Sequence, residues 1–415
     1  MSTDAPDAPP TPSLRTVRLV RDVRPWGGAP VDLHLDGGVI TAITPAGPSP
    51  SGAAEVDGGR VDGAVVDGRG LLALPGIVNA HAHVDKSWWG LPWQSYGGEG
   101  GTDGRIRHER ARRDELGIPG ARTTAAVLAE LVRHGTTAVR SHVDVDLGVG
   151  LRGIEAVREA AAAYDGALHV EVVAFPQDGV LRRPGVLDLL HAAARAGAEH
   201  VGGLDPASID RDPVGQVDAV LALAAEHGVG VDLHLHDPAE LGAFQIELIA
   251  DRTERLGLQG RVTIAHGFAV AQLPDAQRAD LLARMGALGI AMTTVAPLRL
   301  PQLPVAELAA AGVRLGLGTD GIRDLWSPYG TGDTLGIAWQ LARASSLVRD
   351  EDLLRVVRLA TTDGAWAVGR DGHDLVVGAR ADLVLLDAEN PLDALVRTPP
   401  RELVLGGGRV LAERA

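Results

Sequence analysis

The sequence predicts an α/β protein: a (β/α)₈ TIM-type barrel with a small β-sandwich formed by the N- and C-terminal segments. Three observations carry that expectation. Apolar strand-like runs alternate with Ala/Leu/Arg-rich helical stretches through the middle of the 415 residues. Polar residues gather at the C-terminal ends of those runs, where barrel active sites are built. Both ends of the chain read as short alternating strands.

From Leu14 to about Gly70 the runs Thr16-Val-Arg-Leu-Val, Val31-Asp-Leu-His-Leu and Val39-Ile-Thr-Ala-Ile are separated by Gly, Pro and Asp. Ala381-Asp-Leu-Val-Leu-Leu-Asp and Glu402-Leu-Val-Leu-Gly-Gly-Gly-Arg-Val-Leu have the same character. Segments 14–73 and 375–415 are therefore expected to meet in one composite β-sandwich, with 74–374 as the barrel. Residues 1–13, rich in Pro, Asp and small side chains, read as a disordered tail. The eight strand candidates are Gly76–Ala80, Ala138–Val145, Leu168–Phe175, His200–Leu204, Gly230–His236, Val262–His266, Ile290–Thr294 and Leu315–Thr319. The helix candidates between them are Thr123–His134, Gly150–Tyr164, Pro184–Ala196, Pro213–His227, Ala239–Leu256, Pro274–Leu288 and Val305–Ala311. A doubly wound open sheet also alternates strand and helix, but the polar strand ends favour the barrel.

Composition narrows the function. Apolar residues make up 45% of the chain, enough for a sizeable core, and the net charge of -15 disfavours nucleic acid or an anionic membrane as partner. A small neutral or weakly basic molecule fits such a surface better. With no cysteine there is neither a thiolate metal site nor a cysteine nucleophile, so oxygen and imidazole are the remaining metal donors. No run of 18 apolar residues occurs, and the start lacks the basic and apolar regions of a secretory signal, so no membrane span and a cytoplasmic location are expected.

The candidate chemistry sits at the strand ends. His81 and His83 are two apart at the end of the first strand, so both imidazoles leave one face and can converge on a cation. His234 and His236 repeat the spacing on the fifth strand, His266 closes the sixth, and Asp320 closes the eighth. Each alone is a weak signal, since a strand-end histidine is more often simply hydrogen-bonded. Four strand ends of one barrel supplying histidine or aspartate is a much stronger one. Lys86, the only lysine in an arginine-rich chain, follows three residues after His83. Unlike arginine, a lysine can lose its proton when buried beside a metal or another cation, so it reads as part of the metal environment.

The phrase Leu74-Pro-Gly-Ile-Val-Asn-Ala-His-Ala-His, the late Gly-x-Asp, and Gly378-Ala-Arg-Ala-Asp-Leu-Val-Leu-Leu-Asp together resemble the amidohydrolase superfamily. Within it, Arg140-Ser-His-Val-Asp-Val, Val173-Ala-Phe-Pro-Gln-Asp-Gly and Asp320-x-x-x-Asp-x-Trp-x-Pro-x-Gly resemble the branch of cytosine deaminases and isopropylammelide amidohydrolases. The resemblance implies that His81, His83, His234 and Asp320 bind one divalent metal, zinc or iron with manganese also open, and that a water completes the site. It implies a hydrogen bond from His266 to that water or the leaving group, a proton accepted by Asp320, and Gln177 orienting the ring. It also implies a homo-oligomer. Two-metal relatives use a carboxylated lysine on the fourth strand; here the single lysine follows the first, which favours one metal.

Two departures bear on the substrate. Cytosine deaminases carry a glutamate proton shuttle three residues after the third histidine, where this chain has the shorter Asp237, and an aspartate after the metal aspartate, where it has Gly321. Lys86 instead matches the His-x-His-x-x-Lys of the isopropylammelide branch. The proton shuttle is thus open among Asp237, His266 and Lys86, and an aminopyrimidine, purine, pterin or triazine is open as substrate.

Aromatic residues are 3% of the chain, yet Trp88, Trp89, Trp93 and Tyr96 cluster just after the first metal motif, and Trp326 follows the eighth strand. Trp88, Trp93 and Trp326 are candidates to stack on a flat ring, with Asp324 as a polar contact. For Trp88 and Trp89, packing within the loop or an oligomer interface is an equal alternative. Glu240 reads as a helix-face carboxylate, and His108, His169, His191, His200 and His227 as ordinary packing or surface residues. The reading is hydrolytic deamination or amine release from an N-heterocycle by a metal-activated water. Its rivals are hydrolysis of a cyclic amide or acylated amine by the same water, and a silent binding barrel.

Overall fold

The structure is a computed structural model that describes residues 14–47 and 65–414; the expected tail, 1–13, lies outside the described residues. The terminal strands are β1 (Leu19–Pro25), β2 (Val31–Asp36), β3 (Val39–Pro45) and β4 (Val65–Pro75). The barrel strands are β5 (Ile77–Ala82), β6 (Thr136–Asp144), β7 (His169–Phe175), β8 (His200–Leu204), β9 (Gly230–Leu235), β10 (Val262–His266), β11 (Ala291–Thr294) and β12 (Leu315–Leu317), and β13 (Leu383–Leu386), β14 (Arg401–Gly406) and β15 (Arg409–Glu413) end the chain. The helices are α1 (Gly101–Arg112), α2 (Ala121–Arg133), α3 (Arg152–Ala162), α4 (Val186–Arg195), α5 (Pro213–His227), α6 (Ala239–Arg255), α7 (Asp275–Ala287), α8 (Val305–Ala310), α9 (Thr334–Ala344), α10 (Asp350–Leu359) and α11 (Pro391–Arg397).

Strands from both ends of the chain form one seven-stranded sheet in the order β15-β14-β13-β4-β1-β2-β3. Its core holds Val20, Leu33 and Ile40 from the first segment against Leu383, Leu403 and Leu405 from the last. Alternation in β1 to β3 is what a sheet with one solvated face requires.

The second sheet runs β5 to β12 in sequence order, all neighbours parallel. It closes through a parallel bridge between Ala82 and Asp320, where the Asp320 amide donates to the His81 carbonyl at 3.0 Å. Gly318 makes this closure possible, since a Cβ there would stand 2.3 Å from the His81 carbonyl oxygen. Strands covered on both faces lose their alternation, and every residue of β6 is buried.

The barrel interior is polar beneath the site. Arg140 Nη2 pairs with Glu171 at 3.1 Å and its Nη1 with Asp232 at 3.1 Å, while His200 Nε2 meets Glu171 at 3.0 Å. Burial would raise the Glu171 carboxyl, but His169, His200 and Arg140 together hold it well below the usual range. His200 thus belongs to a buried ion network. Charges this deep persist only when paired.

The expected strands and helices match the observed elements to within two or three residues; His200–Leu204, Val262–His266 and Pro213–His227 coincide. α1, α9, α10 and α11 lie outside the expected helices, and β4 outside the expected strands. α1 reads Gly-Thr-Asp-Gly-Arg-Ile-Arg-His-Glu-Arg-Ala-Arg and has no apolar stripe to signal a helix; it buries Ile106 and a carboxylate, Glu109.

Candidate metal centre and active site

A cavity of about 500 Å³ opens at the C-terminal end of the barrel. At its floor the imidazoles of His81, His83 and His234 and the carboxylate of Asp320 converge. His83 Nε2 lies 3.3 Å from His234 Nε2 and 3.3 Å from Asp320 Oδ1, and His81 Nε2 is 3.6 Å from the same oxygen. Period-two geometry explains the first pair: His81 and His83 both face inward from the end of β5. Asp320 and His266 adopt left-handed backbone, with φ of 60° and 69°, a strained conformation for non-glycine residues that concentrates at functional sites.

The donor set fits a single divalent ion. Donors sharing an ion at about 2.1 Å in a tetrahedron stand about 3.4 Å apart, close to the three distances above, and the ligand atoms fall into two close triads that share His81: His81, His83 and Asp320, and His81, His234 and His266. His81 Nε2, within the donor set, and His266 Nε2, beside it, are buried with no hydrogen-bond partner. Such orphaned atoms are costly unless a ligand satisfies them. Protonation agrees with the chemistry a metal demands. Burial and then the Lys86 ammonium push the His83 imidazole down to about 3, and burial with the neighbouring imidazoles carries His234 well below its ordinary value. Burial alone would raise Asp320, but His81 and His83 hold its carboxyl well below the carboxylate range.

Lys86 lines the cavity wall within a cluster of carboxylates. Its Nζ donates to Asp144 Oδ1 at 3.3 Å and to Gln177 Oε1, and lies 5.4 Å from the Trp326 ring. Gln177 Nε2 donates to Glu109 at 2.6 Å and to Asp144 at 3.2 Å, and Trp326 Nε1 donates to the same Glu109 oxygen. Burial would lower the Lys86 ammonium, but Asp144, Glu109, Asp85 and Asp324 outweigh it and raise it. Against the expectation that Lys86 can lose its proton, the carboxylates packed around it, Asp144 and Glu109 foremost, favour its ammonium form. Gln177 reaches the cavity as expected, but its amide is engaged with Lys86, Glu109 and Asp144.

Trp326 and Asp324 line the cavity. Asp324 Oδ1 accepts from the backbone amides of Trp326 at 2.8 Å and Ser327 at 2.7 Å, and burial pushes its carboxyl up to about 7 against the pull of Lys86. His266 also lines the cavity, its ring 4.3 Å from that of His236.

Three expectations fail on geometry. Asp237 does not face the cavity: its carboxylate accepts from Ser208 Oγ and, at 2.9 Å, from Gln245 Nε2 of α6. β9 ends at Leu235, so the alternation that aims His234 inward does not extend to Asp237. Trp88 is fully buried, packed with Ile118 and Leu325, and its indole N–H donates to the Asp324 carbonyl at 3.0 Å. Trp93 is 65% exposed and meets the edge of Trp88 at 5.4 Å, so neither ring reaches the cavity.

Sequence reasoning left His236 without a role. Its Nδ1 meets Asp205 Oδ2 at 3.0 Å, and although burial opposes it, Asp205 raises this imidazole above its ordinary value. His236 lines the cavity where a shuttle was expected from Asp237. Its spacing from His234 was the available signal. The pairing with Asp205, at the end of β8, was not visible in the chain.

A barrel with this floor of three histidines and one aspartate is the architecture of a metal-dependent hydrolase. The profile described as "Amidohydrolase family" matches residues 120–412, and the chain belongs to that family. It is 31% identical over 356 residues to N-isopropylammelide isopropyl amidohydrolase from Pseudomonas sp. (strain ADP), covering 83% of this chain and 87% of that protein. The crystal structure of N-isopropylammelide isopropylaminohydrolase from Burkholderia multivorans superposes with a TM-score of 0.87 at 39% identity, covering 95% of this chain and 98% of the other. 5-Methylcytosine deaminase from Klebsiella pneumoniae, liganded with 5-fluorocytosine, superposes with a TM-score of 0.79 at 26% identity, covering 96% and 98%. No helix among the described residues is long and apolar enough to cross a membrane.

Proposed function

We propose that this protein hydrolyses a carbon–nitrogen bond at an amidine-type carbon of a small N-heterocycle, releasing ammonia or an amine with the ring intact. The observation that carries this is the convergence of His81, His83, His234 and Asp320 beneath a cavity walled by Trp326, with Lys86 and His236 facing in. Zinc or iron is the ion that three imidazoles and a carboxylate favour. When bound, such an ion lowers the pKa of water at the site and so supplies a nucleophile at neutral pH.

The chain's own residues do the rest. His81, His83, His234 and Asp320 would hold the ion. His266 and Asp320 stand beside the floor as acceptors for the proton that water gives up. Trp326 offers an indole face to a flat ring. Lys86, kept protonated, donates from Nζ toward a ring nitrogen or oxygen on which negative charge develops, a form of preorganised stabilisation. His236, whose affinity for a proton is raised by Asp205 and whose ring Asp205 orients, would supply a proton to the departing nitrogen. Asp237, turned away, has no part in this scheme.

Ammonia release by zinc- and iron-loaded protein across a panel of aminopyrimidines, aminopurines, pterins and aminotriazines tests the reading. Product analysis should show an intact ring with oxygen where nitrogen was. A ring-opened product would favour cyclic amide hydrolysis, and no turnover of any ring by metal-loaded protein contradicts the proposal.

A further inference from the structure

The amino acids around the cavity mouth carry a charge that the reaction scheme leaves unused. Arg105, on α1, lines the cavity beside Trp326, with its guanidinium carbon 5.8 Å from the indole ring. Its Nε is buried without a hydrogen-bond partner. The acids around it are already committed: Asp103 to Arg182 at 2.9 Å, Asp178 to Arg110, Arg182 and Arg183, and Glu109 to Gln177 and Trp326. Among the described residues no carboxylate lies within ion-pair distance of the Arg105 guanidinium.

A guanidinium stays charged and presents a planar fork that matches an anionic oxygen. Holding it partly desolvated against an aromatic wall, with an unpaired N–H, is costly unless a ligand compensates. The other charges facing the cavity do not neutralise it. Asp320 belongs to the donor set, Asp324 is turned to two backbone amides, and Lys86 is held by Asp144 and Gln177.

We propose that Arg105 is a specificity-determining residue that binds an anionic oxygen on the substrate ring, either a carboxylate substituent or an ionised ring oxo group. This deepens and rests on the function proposed above. It also revises the expectation of a neutral or weakly basic substrate: the protein is acidic as a whole, but Arg105 sets a positive charge without an ion-pair partner at the cavity mouth. α1 thereby acts as the selective element of the mouth.

Three pyrimidines of similar size separate the possibilities: uracil, orotate with its carboxylate, and barbiturate with an ionised oxo group. Binding is measured by titration calorimetry on zinc-loaded wild-type, Arg105→Gln and Arg105→Lys proteins of equal zinc content. An anion advantage of about tenfold or more over uracil is expected in the wild type, from one charge-assisted hydrogen-bonded pair. It should vanish in Arg105→Gln and survive in part in Arg105→Lys. Whichever of orotate and barbiturate gains identifies the oxygen. Equal binding of all three ligands to the wild type, or an advantage that persists in Arg105→Gln, overturns the proposal; the latter would mean that the anions sit on the ion. An anion preference in a protein that releases ammonia from no ring would leave Arg105 standing and remove the deaminase reading, and the reverse pattern would do the opposite.

Discussion

His83 and His234 stand 151 positions apart in the chain, yet their Nε2 atoms face each other at 3.3 Å on the barrel floor. At that separation one neutral imidazole can donate to the other, or both nitrogens can turn their lone pairs to an ion held jointly with His81 and Asp320. In the second arrangement, which the proposed function uses, the site is part of the folding energetics as well as of the chemistry.

Removing the ion should therefore destabilise the protein. A ligand present at 100 times its dissociation constant contributes about 2.7 kcal/mol. Dialysis against a strong chelator should lower the melting temperature by several degrees, and zinc should restore it. His234→Ala should melt at the same temperature with or without chelator, as checked by calorimetry.

Lys86→Met tests the fixed-cation role. Removing one preorganised donor from a transition state costs on the order of 10²–10³ in kcat. Turnover should fall by that much while metal content stays near one equivalent. Measured kcat close to wild type, with metal retained, would show that the Lys86 ammonium does not act on the reacting ring.

Asp324 gives a pH signature. Its carboxyl is pushed up to about 7, whereas an unfolded aspartate titrates near 3.9. The native state thus holds a proton that the unfolded chain has lost. The stability this contributes is complete below about pH 4 and disappears as pH rises through about 7. Melting temperatures of zinc-loaded wild-type and Asp324→Asn proteins should accordingly diverge between pH 5 and pH 8, with the variant gaining on the wild type. Parallel curves would contradict the raised value.

The tryptophans separate packing from binding. Trp88→Ala removes a fully buried side chain and should cost about 3–5 kcal/mol of stability with little change in KM. Trp326→Leu should show the opposite, raising KM with a smaller stability loss. Denaturant unfolding and steady-state kinetics on the two variants decide it.

Much of this was legible in the chain because periodic signals are local. His81 and His83 share a face by period two, and the eight apolar runs set the barrel strands to within a few residues. What was not legible depended on side-chain direction or on partners distant in sequence. Asp237 occupies the expected shuttle position by number, but it lies past the end of β9 and its carboxylate is taken up by Ser208 and Gln245. Trp88 folds beneath the loop that carries Asp324, a contact across 236 positions. The deep pairing of Arg140 with Glu171 and Asp232, and the lid-like placement of Arg105 and Glu109 on a helix with no apolar stripe, leave no trace in composition or period.

The central claim is one ion held by His81, His83, His234 and Asp320. An anomalous difference map from crystals of zinc-loaded protein, collected on both sides of the zinc edge, tests it most directly. The account predicts one strong peak at roughly 2.0–2.2 Å from the Nε2 atoms of the three histidines and from an Asp320 oxygen. A map with no peak among these four side chains, or with its peak on other residues, would contradict it.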